Sequence, residues 1–166
     1  LNPERGIMSS MLKTLATGQY IEKGDAVIIT GATGSGKSFL ASALGFQACS
    51  QGYKVGYYNI YKLLEQIKVA RLEGIAGKFF NRIAKLDLLV VDDFGLQTLK
   101  GQQQNDLLEM IEDRHSLKST IIVGQLPVSG WHEVLGGNLT SDAILDRIVH
   151  TAHRFELKSE NSLRKL

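Results

Sequence analysis

The stretch Gly31-Ala32-Thr33-Gly34-Ser35-Gly36-Lys37-Ser38 fits the spacing G-x-x-x-x-G-K-[ST] of a phosphate-binding loop. Each position has a physical use. Glycines let the backbone turn tightly and approach a polyphosphate with no Cβ in the way. Successive N–H groups form an anion-binding nest. Lys37 reaches the β- and γ-phosphates, and Ser38 holds Mg²⁺. The flanks supply the context the loop requires. Ala26-Val27-Ile28-Ile29-Thr30 is a short β-branched run, suited to a buried strand. Leu40, Ala43, Leu44 and Ala48 then recur at helical spacing. Strand, loop and helix follow in order, so the positive end of the helix points at the phosphates.

A second stretch decides the chemistry. Leu86-Asp87-Leu88-Leu89-Val90-Val91-Asp92-Asp93-Phe94-Gly95 is an apolar strand running into two adjacent carboxylates. Burying two like charges is costly unless a cation compensates them. Asp92 is therefore the predicted metal-holding acid beside Ser38, and Asp93 suits polarising an attacking water. Ser119-Thr120-Ile121-Ile122-Val123-Gly124 reads as a further strand, whose tip carries Gln125. A polar side chain there suits orienting the water, which makes Gln125 the third candidate.

The bulk numbers set bounds. The 166 residues suit one domain with a sizeable core, expected over 1–166 with a lead-in at 1–20 and a basic tail at 158–166. The net charge of +2 is too small to argue for a nucleic-acid partner by itself. The single Cys49 excludes an internal disulfide, suits a reducing cytoplasmic setting and reads as buried and inert. No apolar run reaches about 18 residues, so no membrane span is visible.

Met8, Met11, Leu12 and Leu15 are spaced as a helix face, with Gly18 as its stop. This opening segment reads either as a wall of an adenine pocket or as a helix packed on the sheet edge. Val55 to Asn59 is a second strand, and Asn59 is placed to cap a helix facing inward with Leu63, Leu64, Ile67 and Ala70. Tyr53, Tyr57, Tyr58 and Tyr61 read as strand packing rather than a stacking platform. Residues 60–86 carry Lys62, Lys68, Arg71, Lys78, Arg82 and Lys85 against Glu65 and Glu73. That excess, with Phe79-Phe80 inside it, is either a DNA-facing surface or a solvated helix face. Gln102 to His115 is amphipathic, with Leu107, Leu108 and Ile111 inward. Trp131-His132 reads as packing beside a solvated ring. Thr140 or Ser141 is the expected cap of a helix facing inward with Ile144, Leu145, Ile148 and Val149. A last short strand covers 152–157.

With these landmarks placed, the chain resembles the IstB-like ATPases, AAA+ proteins that assist insertion-sequence transposases and are related to DnaC helicase loaders. The marks are Leu15-Ala16-Thr17-Gly18, the phosphate loop and Leu88 to Gly95. Ile111-Glu112-Asp113-Arg114, Gln125 to His132 and Asp142 to His150 complete them. The resemblance implies an α/β P-loop NTPase fold of AAA+ type: a three-layer sandwich with parallel sheet order 5-1-4-3-2 and no helical lid domain. It implies Mg-ATP as ligand, held by Gly31, Ala32, Thr33, Gly34, Ser35, Gly36, Lys37, Ser38 and Phe39. It also implies a homo-oligomer assembled with ATP on duplex DNA, acting with a transposase or a replicative helicase and without a membrane. An arginine of one subunit would then reach its neighbour's ATP. Arg147 matches the favoured position, with Arg114 as second choice. Arg164 reads as a minimal γ-phosphate sensor or as part of the tail. The family's preceding amino-terminal domain is expected to be missing or truncated. Two departures stand out: the acidic pair ends in Asp93 where AAA+ proteins commonly have Glu, and Gln125 stands where Asn is common. The rival readings are a DnaC-type helicase loader, a small-molecule P-loop kinase and a non-hydrolysing nucleotide-dependent binding module.

Overall fold

A computed structural model of the chain describes residues 3–158. Residues 159–166 of the predicted basic tail, Arg164 among them, lie outside the described residues, as do the side chains of Met8 and Met11. The elements run in the order α1 (Pro3–Ala16), α2 (Gln19–Glu22), β1 (Ala26–Gly31), α3 (Lys37–Ser50), β2 (Val55–Asn59), α4 (Ile60–Leu72) and α5 (Ala76–Ala84). They continue with β3 (Leu88–Phe94), α6 (Gln102–Arg114), β4 (Ser119–Gly124), α7 (Trp131–Val134), α8 (Leu139–Ile148) and β5 (His153–Leu157).

The five strands form one parallel sheet in the order β2-β3-β4-β1-β5. Read from its other edge this is 5-1-4-3-2, as the resemblance implies. Apolar runs without polar alternation demand cover on both faces, and the side chains divide accordingly. Val27, Ile29, Val90, Ile121 and Val123 pack with Leu40, Ala41 and Leu44 of α3 and with Leu15, Tyr20 and Ile21. Ile28, Leu89, Val91 and Ile122 pack on the opposite face with α4, α5, α6 and α8. Two helical layers around one sheet give the AAA+ type P-loop sandwich.

Several local expectations change. The basic segment 60–86 spans two helices, because Gly74 takes a left-handed φ of 76° that turns the chain between α4 and α5. Phe79 and Phe80 then face inward, 8% and 5% exposed, and belong to the core rather than to an outer surface. The cap of α8 is Asn138, whose Oδ1 accepts from Ser141 N at 3.1 Å while Ser141 Oγ accepts from Asn138 N at 3.2 Å. Ser141 is thus the third helical residue of a capping box, and Thr140 is not the cap. Cys49 is exposed, against the buried reading, because it follows the inward Ala48 onto the solvent side of the last turn of α3. Ala43 also lies outside the core, where Ala41 takes the place expected for it. No helix among the described residues is long and apolar enough to cross a membrane.

Candidate functional site

β1, β4 and β3 are neighbours, and their carboxyl ends carry the phosphate loop, Gln125 and the acidic pair. Ligands of open parallel sheets bind outside that edge. The loop leaves β1 at Gly31, where a Cβ would lie 2.6 Å from both Leu157 O and Ser35 Oγ. Gly34 and Gly36 turn in the left-handed region at φ 82° and 92°, and Gly36 is the N-cap of α3. No side chain caps α3, so its first N–H groups face the loop. Lys37 is 8% exposed and its Nζ makes one long contact, 3.4 Å to Ala32 O. Ser35 Oγ is fully buried and, among the described residues, is the buried side-chain polar atom with no hydrogen-bond partner. A cradle with a spare ammonium and a spare hydroxyl suits a bound anion.

The acidic pair sits in a β-bulge. Val91 pairs with Ile122 and Phe94 with Gly124, so Asp92 and Asp93 stand opposite the single Val123. Gly124 is required there, since a Cβ would collide with Phe94 O. The bulge places Asp93 at φ 61°, a left-handed conformation that a non-glycine residue holds only when its surroundings fix it. Asn59 does so: its Nδ2 donates to Asp93 Oδ2 at 2.7 Å, while its Oδ1 caps α4 by accepting from Tyr61 N and Lys62 N. Asp92 is 8% exposed. Its Oδ2 accepts from Ser38 Oγ at 3.1 Å and from the Tyr57 hydroxyl, and its Oδ1 accepts from Asp93 N at 2.7 Å. Burial first, and the Asp92 contact second, push the Tyr57 phenol up to about 12.

The fold thus brings Ser38 and Asp92 together across 54 residues of chain. A hydroxyl and a carboxylate adjoining a phosphate cradle are the donor set that Mg²⁺ takes beside a nucleotide. Gln125 is exposed at the tip of β4, in an open cleft of about 280 Å³ shared with Thr30, Gly31, Ala32 and Glu156. A larger, mainly apolar groove of about 840 Å³ runs from the loop along α3. Leu12 and Ala16 of α1 line it with Phe39, Ala43 and Leu44. Phe39 itself is 77% exposed. Leu15 of the opening helix packs in the core beside the sheet, while Leu12 and Ala16 wall the groove.

The two arginines part company. Arg147 lines a cavity with Ala26 and Thr120, at the amino ends of β1 and β4. It is about 20 Å of strand from the loop of its own chain. Its contacts are light: Ala143 O at 3.1 Å and Glu112 at 3.9 Å. Arg114, the second choice for a neighbour-reaching arginine, is 1% exposed. Its guanidinium donates to Thr120 Oγ1 at 3.0 Å, to Ile83 O and Leu86 O at 2.7 Å each, and to Ser119 O at 2.6 Å. Burial pushes its pKa down to about 10. An arginine so enclosed spends four of its five N–H donors on fastening α5, α6 and β4 together, and its burial keeps it from reaching a neighbour.

Sequence reasoning missed Tyr57 and half of Asn59. The available signal was parallel register: Asn59 pairs with Asp92, so side chains at the end of β2 adjoin the acidic pair.

Comparisons with known proteins bear on the family and the fold. The sequence model of the family described as IstB-like ATP binding protein matches residues 2–166. A Sinorhizobium fredii protein named as an insertion sequence ATP-binding protein is 43% identical over 162 residues, covering 98% of this chain and 66% of the relative. An ATP-binding protein named for insertion sequence IS1162 of Pseudomonas fluorescens is 42% identical over 125 residues, covering 75% and 54%. The chain thus spans about two-thirds or less of these relatives' lengths. Among solved structures, the DnaC helicase loader superposes with a TM-score of 0.78 at 22% identity, over 95% of this chain and 92% of that one. AMPPCP-bound DnaA from Aquifex aeolicus gives 0.72 at 19%, over 95% and 47%. These two speak for the fold. With the family's pattern matched along nearly the whole chain and relatives above 40% identity, the chain belongs to the IstB-like ATP-binding proteins.

Proposed function

We propose that this chain is the ATP-hydrolysing AAA+ module of an insertion-sequence helper, which assembles in several copies on duplex DNA in the cytoplasm and assists a transposase. The observation that carries the reading is the meeting of Ser38 and Asp92 at 3.1 Å beside a loop with an uncommitted Lys37. The loop amides, Ser35 and Lys37 bind the phosphates, and Phe39 with the α1–α3 groove receives the nucleoside. Ser38 and Asp92 would hold Mg²⁺, which when bound would supply positive charge against the phosphates. Asp93, restrained by Asn59, accepts a proton from the attacking water. Gln125 orients that water from the tip of the adjacent strand.

Arg147 completes the site of a neighbouring copy. Its place at the opposite edge of the sheet makes contact with its own triphosphate impossible, and its light tethering leaves it free to reach outward. The exposed cations of α4 and α5, among them Lys62, Lys68 and Lys78, face the phosphate backbone of DNA. Arg71 contributes less, because Asp106 engages it at 2.6 Å.

The test is ATP turnover with and without duplex DNA, with subunit mass recorded in both states. The reading expects DNA to raise both turnover and mass. ATP left intact after long incubation with DNA would instead indicate a nucleotide-dependent binding module. Likeness to the DnaC loader favours a second reading, service to a replicative helicase. Pull-down with helicase against transposase separates the two.

A further inference from the structure

Tyr57 lies on β2, the edge strand of the sheet, and is 43% exposed. A ring so placed gains little from burial, yet its hydroxyl makes a specific bond to Asp92 Oδ2, the oxygen that also accepts from Ser38. Three donors from three sources thus converge on one carboxylate: Tyr57 of β2, Ser38 of α3 and the backbone N–H of Asp93. Without such donors, a carboxylate at the end of a strand turns about its last torsion with little resistance. Groups that orient a metal-holding side chain from behind govern its affinity for the ion.

We propose that Tyr57 is a positioning residue for the cation site: its hydroxyl, donated from the edge strand, locks the Asp92 carboxylate in the orientation that shares Oδ2 with Ser38. The inference rests on the reading of Ser38 and Asp92 as the cation-holding pair. Removing the hydroxyl leaves Asp92 with two donors and weakens its hold on the ion. The phosphate cradle, built from other residues, is untouched. Neighbouring Tyr58 packs against the opposite core, beneath α4, and has no part in this.

The experiment measures binding of a fluorescent ATP analogue across a Mg²⁺ titration and in EDTA, for wild type, Tyr57→Phe and Tyr58→Phe. Tyr57→Phe is expected to need about tenfold more Mg²⁺ for half-maximal enhancement of binding. Its affinity in EDTA and its thermal midpoint stay at wild-type values, and Tyr58→Phe matches wild type throughout. A Mg²⁺ midpoint unchanged in Tyr57→Phe reduces the residue to edge packing and overturns the inference. So does a midpoint shifted to lower Mg²⁺, which would make the phenol a competitor of the ion. An equal loss of affinity with and without Mg²⁺ overturns it as well, by exposing a general structural role. Wild-type binding indifferent to Mg²⁺ would instead remove the cation reading on which the inference stands.

Discussion

At the amino ends of the strands, the Arg114 guanidinium is sealed among Ile83, Leu86, Ser119 and Thr120, each supplying an acceptor. At the carboxyl ends, Ser35 Oγ is equally buried and, among the described residues, has no partner and Lys37 has one long contact, while Asp93 occupies a left-handed conformation. Both edges bury polar groups in the same sheet. One satisfies them internally and gains rigidity. The other leaves capacity unspent, which is how a preformed ligand site differs from a structural network. A buried charge is therefore a poor guide to function by itself, and the guide is whether its partners are already present.

This contrast orders the effects of substitution. Arg147 is the exception at the amino edge, a cation held loosely among groups held firmly. Arg147→Ala should leave ATP binding and the unfolding midpoint intact but remove DNA-stimulated turnover by about a thousandfold, the scale of an arginine supplied in trans. Stimulated turnover at the wild-type rate would place Arg147 among the structural groups of its edge. Arg114→Met should do the reverse. It strands three backbone carbonyls and should lower stability by about 3 kcal/mol, read from urea unfolding. A loss below about 1 kcal/mol would mean that the network is not the fastening described.

The smallest effect is electrostatic. The backbone N–H of Lys54, and then Lys118, hold the Asp87 carboxyl below its ordinary value of 3.8. A folded pKa lowered in this way gives stability that is complete above 3.8 and is lost as pH falls through the folded value. Asp87 is partly exposed, so the contribution is under about 1 kcal/mol after screening. Asp87→Asn should be less stable than wild type at pH 7, and the two curves should converge as pH falls through the lowered folded value. A constant gap across that range would show that the carboxylate's charge is not the source.

The sequence announced the carboxyl edge far better than the amino edge. Phosphate cradles need glycines at fixed spacing, and paired acids at the end of an apolar strand are conspicuous. Long-range partners were harder to see. Asn59 was legible as a cap because the backbone N–H groups that its Oδ1 accepts from lie two and three residues on, whereas its bond to Asp93 spans 34 residues. Tyr57 read as strand packing because periodicity records which face a residue takes and not what its hydroxyl meets. Arg114 stands at helical spacing from Leu107 and Ile111, both inward, so its burial was written in the pattern. Its charge argued the other way. Three capping residues within four positions, Asn138, Thr140 and Ser141, left the start of α8 to geometry.

The proposed function depends on Ser38 and Asp92 together forming the cation side of a nucleotide site. Calorimetric titration of a non-hydrolysable ATP analogue, with and without Mg²⁺, onto wild type and Asp92→Asn tests it most directly. Mg²⁺ should tighten wild-type binding and leave the variant nearly unchanged, with both alike in EDTA. Equal tightening of the two proteins by Mg²⁺ would contradict the account.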